Sequence, residues 1–153
     1  MSLKKFFDCR VLSLLMIVLL CAGVQAAICQ ESAATWEDSS TGLMWTVEDS
    51  GTDLSFGQAN TYCEDLTLAG HTDWRLATLE ELEGLFDRNL KKQYKAKGPI
   101  NLLSANVWSG SKNNLGDSWM FNFGHGGSSV SAGGGGGCGA VGRALCVRPA
   151  AKK

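Results

Sequence analysis

No charge of one sign dominates this sequence: 14 Lys and Arg stand against 15 Asp and Glu in 153 residues. Such a balance leaves no global nucleic-acid footprint, so no nucleic-acid partner is expected. None of the 6 cysteines stands in a C-x-x-C pair, the spacing a zinc site favours. The 2 histidines, His71 and His125, are isolated. A lone histidine is more often structural or solvated than a ligand, and neither a metal nor a cofactor is assigned. The N-terminal apolar run, residues 11–22, is too short to cross a bilayer.

That run has another use. Lys4, Lys5 and Arg10 lie before it and the small-x-small triplet Val24-Gln25-Ala26 lies after it, the three parts of a secretory signal cleaved after Ala26. Retention as an anchor is the weaker reading. Lipidation is disfavoured because Leu20 precedes Cys21 and Ile28 precedes Cys29, where a small residue is wanted. The expected organisation is a signal peptide over residues 1–26 and one domain over residues 27–153. The mature chain is exported to the periplasm, cell surface or medium and has no membrane span. It is mildly acidic and long enough for a real core. It keeps Cys29, Cys63, Cys138 and Cys146, which allow three full pairings in an oxidising compartment; spacing alone does not choose among them.

Along the mature chain, a polar turn leads into a strand carrying Leu43, Met44, Trp45 and Val47. Ser55 can cap a helix in which Phe56, Ala59, Cys63 and Leu66 share a face, with Gly70 placed to end it. Asp73 to Ala77 is a short extended piece. Thr78 and Glu81 form a capping box for a second helix with an inward stripe of Leu79, Leu82, Leu85 and Phe86. The basic stretch over residues 88–97 reads as a solvated helix end, its cations complementing the helix dipole. The sharper alternative is an anion site for sulfated or acidic glycans. Residues 106–111 and 118–123 read as strands, the second with Trp119, Phe121 and Phe123 on one face. Residues 128–132 form a weak third and the "ALCVR" segment a closing strand. Helices in front and short antiparallel strands behind argue an α+β domain.

Five motifs then come in order: "TGLMW", "A-x-x-Y-C-x-x-L", "G-H-x-D-W-R-L-A-T-x-x-E-L", "VWSGS" and "LCVRP". Together they resemble the Lcl C-terminal domain family, found in collagen-like bacterial adhesins and other exported proteins. The resemblance implies a C-type-lectin-like fold, two helices packed on a twisted antiparallel sheet whose terminal strands pair. It also implies a Cys63–Cys146 disulfide. Calcium-dependent sugar binding is not implied, because the Glu-Pro-Asn, Gln-Pro-Asp and Trp-Asn-Asp signatures of such lectins are missing. The same broad fold serves formylglycine-generating enzymes, so a further alternative for this chain is a degenerate relative of them. Its only candidate nucleophile, Cys138, has no basic neighbour to activate it, so no enzyme is expected.

Six glycines fill seven positions around Cys138, between two strands of one domain, where a linker makes no sense. Residues 124–143 hold only Gly, His, Ser, Val, Ala, Cys and Arg. All are encoded by codons reachable from AAC or AAT by changing the two adenines. Lys, Glu, Gln, Met and Trp are not reachable that way, and all five are missing. This resembles the variable repeat of a diversity-generating retroelement, with Trp108, Trp119, Phe121, Phe123 and Cys146 as fixed scaffold.

The expected function is ligand binding, the partner a protein or glycan on a host, phage or neighbouring cell surface. The expected contacts are Asn113, Asn114, Leu115, Asp117, Asn122, His125, Ser128, Ser129, Ser131 and Arg143. The alternative is a fixed adhesin for sulfated glycosaminoglycan-like polymers, using Lys91, Lys92, Lys95 and Lys97.

Overall fold

The chain divides into two units, residues 1–32 and a compact second unit, Ala33–Lys153. A computed structural model describes residues 34–131 and 140–150, all within the second. The expected signal segment, Cys29 and Cys138 lie outside the described residues. Among those described, no helix is long and apolar enough to cross a membrane.

The second unit has two antiparallel sheets and two short helices. Strands β1 (Thr35–Asp38) and β2 (Leu43–Thr46) form a hairpin. Asp38 builds its turn by accepting from the Ser40 N–H and hydroxyl, at 2.9 and 2.6 Å. Helix α1 (Phe56–Glu64), strand β3 (Arg75–Leu76) and helix α2 (Leu79–Leu85) follow. Then come β4 (Asn106–Lys112), β5 (Ser118–Asn122), β6 (Gly127–Ser131) and β7 (Cys146–Pro149). The first sheet runs β1-β2-β7-β3, so the last strand sits between elements from the start of the unit. The second runs β4-β5-β6.

Both helices begin as their sequences dictate. Ser55 caps α1 and Thr78 caps α2, each closing a capping box with the residue three positions on. Ala59 and Cys63, one turn apart, face inward from α1. Cys63 bonds Cys146 on β7, with 5.5 Å between Cα atoms and a sequence separation of 83. Around this crosslink pack Trp74, Leu76, Trp108, Met120 and Ala144. A second cluster under α2 joins Trp45, Leu82, Leu85, Val107, Phe121, Phe123, Leu145 and Val147.

Two sequence expectations are corrected. Gly70 does not end α1, which stops at the Asp65 cap; with Ala69 it turns the chain through positive φ between Leu68 and His71. Residues 88–97 are not a helix end. The chain leaves α2 extended at Phe86 and doubles back, pairing Phe86 with Ala96. The Lys97 ammonium then donates to the Gly84 carbonyl at 2.6 Å, one of the acceptors the helix terminus leaves unpaired. Strand β5 keeps Phe121 and Phe123 in one cluster, as their alternation predicts, and is buried on both sides. Phe121 faces the cluster under α2 while Met120 packs toward the disulfide, and Trp119 is half-buried.

Two bidentate ion pairs tie the layers. Arg148 of β7 grips Asp73 at 2.6 and 3.0 Å. Arg75 of β3 grips Glu81 of α2 at 2.7 and 2.8 Å, and Glu81 also accepts from the Thr78 N–H. Burial pushes the Glu81 carboxyl up, but the Arg75 guanidinium and the Thr78 N–H outweigh it and hold the group below its ordinary 4.5. Its stabilising contribution is therefore full above that value and drains away as pH falls through the lower folded value. Urea titrations should show stability falling below about pH 4.5. The fall should be shallower in Glu81→Gln, and the residual slope should reflect Asp73 and Asp38, which are lowered in the same direction.

Candidate recognition face

The second sheet carries most of the expected contacts, and its two turns are held by side chains. Between β4 and β5, the Asn113 Oδ1 accepts from the N–H groups of Leu115 and Asp117, each at 2.9 Å. Its Nδ2 donates to Asp117 Oδ2 at 3.1 Å. Gly116 completes the turn at φ +84°. These Asn113 groups build the turn; Asn114 and Leu115 are exposed, Leu115 at 87%.

At the other end, Asn122 Oδ1 accepts from the N–H groups of Gly124 and His125, at 2.9 and 3.2 Å. Its Nδ2 donates to Asn106 Oδ1 at 2.7 Å. Gly126 follows at φ +81°, and a Cβ there would lie 2.4 Å from Phe86 Cε1. Gly126 therefore has a packing reason to be glycine, independent of any codon history. Gly142 is less constrained: a Cβ there would meet the flexible end of Met120, Cε at 2.6 Å, and the Asn106 carbonyl oxygen at 3.1 Å. The sequence signal for Gly126 lay in the turn, not in the composition of residues 124–143.

The β5–β6 register places these groups relative to one another. Phe121 pairs with Ser128, Trp119 with Val130, Met120 with Ser129, and Ser118 with Ser131. Opposed residues share a side of the sheet, so Ser128 stands on one side and Ser129 and Ser131 on the other. Asn114 and Leu115 lie at one end, near Ser131, and His125 at the other. The structure therefore brings the expected contacts together as a strip along the β6 edge, not as one flat patch. Ser128, Ser129 and His125 are exposed, and Ser131 is half-buried.

Arg143 is not part of that strip. It flanks β4, the opposite margin of the sheet, where its carbonyl accepts from the Trp108 N–H at 2.9 Å. Its guanidinium is 14% exposed and lies 3.1 Å from Asp53. That side chain helps close the fold against the segment before α1.

The lysines are similarly committed. Lys92 donates to the carbonyls of Ala96 and Gly98, at 3.3 and 2.7 Å, and Lys95 to that of Gly124 at 3.0 Å. With the Lys97 contact described above, three of the four expected anion ligands brace the loop that carries them; Lys91 is exposed. Lys92 also lines a cleft of about 420 Å³ with Gln93, Tyr94, Ile100 and Asn101. Among the described residues, no cluster of His, Cys, Asp or Glu is arranged to hold a metal ion.

Comparison with family models matches residues 34–148 to the Lcl C-terminal domain. Comparison with curated proteins gives no match.

Proposed function

The chain belongs to the Lcl C-terminal domain family, and from that premise we propose an exported, non-catalytic ligand-binding protein of C-type-lectin-like fold. Its recognition surface is the strip formed by Asn114, Leu115, Ser131, Ser129, Ser128 and His125. One observation carries this reading: the side chains of Asn114, Ser128 and Ser129 make no hydrogen bond among the described residues, yet they stand on turns and a strand fixed from within. Small polar groups on a rigid support suit adaptable hydrogen bonding, and Leu115 supplies apolar contact area. The partner is a protein or glycan on another cell or particle.

Diversification of the strip fits the same picture at Leu115, His125, Ser128 and Ser129, where a changed side chain meets solvent. Gly126 falls outside it for the steric reason given above. The gene tests this directly: codons for residues 124–143 ending in C or T, with a near-identical template repeat nearby, are the required result.

The second reading, a fixed adhesin for sulfated polymers, draws on the cleft beside Lys92. One experiment separates the two. Heparin and arrays of surface proteins and glycans are probed with the protein, with Asn114→Ala/Leu115→Ala/His125→Ala, and with Lys91, Lys92, Lys95 and Lys97 changed to Gln. Binding lost only in the triple variant supports the strip. Salt-sensitive heparin binding lost only in the lysine variant supports the second reading. No binding by the unaltered protein counts against both.

A further inference from the structure

Among the described residues, the strand that carries the strip is also the outer strand of its sheet. Among the described residues β6 pairs only with β5, leaving its outer row of backbone N–H and C=O groups without a strand partner. Native proteins guard such edges with lysine, proline, an inward-pointing charge or a bulge. This edge has none of them. Gly127, Ser128, Ser129, Val130 and Ser131 are uncharged, and the β5–β6 register runs without the shift that interrupts β4–β5. The three central residues are exposed.

We infer that β6 is a self-association edge, pairing antiparallel with β6 of a second copy to make one continuous six-stranded sheet. The occupant follows from the strand's own composition. Two-fold antiparallel pairing sets a strand against itself, which like charges opposite one another would oppose and which this strand, lacking charge, permits. Overlap is greatest when the axis passes through Ser129, the middle residue. Ser129 then faces its counterpart, Ser128 faces Val130, and Gly127 faces Ser131. Serine pairs across such a junction can add side-chain hydrogen bonds. The contact is made by the main chain, so the side chains remain on the two faces of the joined sheet. Only five residues per copy take part, which makes this a weak, concentration-dependent dimer rather than an obligate one. For the function proposed above, pairing sets two strips side by side and raises avidity without any new contact to ligand. The association itself does not depend on that function.

Sedimentation velocity of the full protein, free thiols blocked to exclude intermolecular disulfides, reads the dimer without any ligand. Across a micromolar-to-millimolar series the weight-average mass should climb from the monomer's toward twice that value. Ser129→Lys, which sets like charges on the axis, should hold it at the monomer with an unchanged circular dichroism spectrum. Ser128→Lys/Val130→Glu places opposite charges across both flanking pairs and should restore association that weakens with salt. A monomer at every concentration overturns the inference, as does a dimer that ignores Ser129→Lys or a double variant that stays monomeric. Ligand binding by a strictly monomeric protein would overturn this inference alone and leave the recognition strip standing.

Discussion

Replacing Cys63 and Cys146 together by alanine is expected to lower the unfolding free energy by about 4–5 kcal/mol. That figure is the loop-closure term for a crosslink spanning 83 residues. Both sulfurs are fully buried, so the double variant also leaves a small void among Trp74, Trp108 and Met120. Roughly 15 °C or more should come off the thermal midpoint of a unit this size. The loss should be accompanied by faster amide exchange in β7 and α1, the two elements the bond joins. Calorimetry of the oxidised protein against the double variant checks the size. A change under about 1 kcal/mol would mean that packing alone holds α1 to the closing strand.

The second large effect is expected at Gly126. Substitution by alanine forces a residue with a Cβ to φ +81° and drives that atom into the Phe86 ring. The ring has little room to retreat, because it packs edge-on against Phe121 at 5.7 Å and tilted against Phe123 at 6.4 Å. Left-handed backbone costs an ordinary residue about 1–2 kcal/mol and overpacking adds about 1–3 kcal/mol, so Gly126→Ala should lose about 2–5 kcal/mol. Gly116 provides the contrast. Its φ is also positive, +84°, but nothing lies within 4 Å of a Cβ there. Gly116→Ala should lose only the backbone part, about 1–2 kcal/mol, and Gly116→Asn less still. Urea midpoints of the three variants would rank them. Equal losses at 116 and 126 would remove the Phe86 contact from the explanation.

These two sites also mark where the sequence was legible. The capping residues Ser55 and Thr78 and the inward Leu82 and Leu85 could be read because local chemistry and helical spacing dictate them. The Cys63–Cys146 bond came from the family resemblance, since spacing left three pairings open. Strand β1 was hidden by its Glu37 and Asp38, which point a reader toward a loop; pairing with β2 recruits them anyway. The lysines of residues 88–97 read as solvated, and Lys91, Lys92 and Lys97 are exposed; the misreading was the helix end, because the chain doubles back after Phe86. In three dimensions Lys92, Lys95 and Lys97 donate to backbone carbonyls that only the folded chain brings near. In the candidate site, composition marked a region but could not divide it. Asn114 and Leu115 differ from Asn113 and Asp117 only in which of them the turn uses. Arg143 and Gly142 read like their neighbours until the chain lays them against β4 and Met120.

The account's central claim is that a crosslinked frame makes the strip's side chains interchangeable while the positions beneath them are fixed. Equilibrium unfolding of the variant Asn114→Tyr/Leu115→Arg/His125→Tyr/Ser128→Tyr tests it most directly. The account predicts one cooperative transition, with each substitution costing within about 0.5 kcal/mol, as surface changes do. A loss of several kcal/mol, or a broad transition without cooperativity, would contradict it.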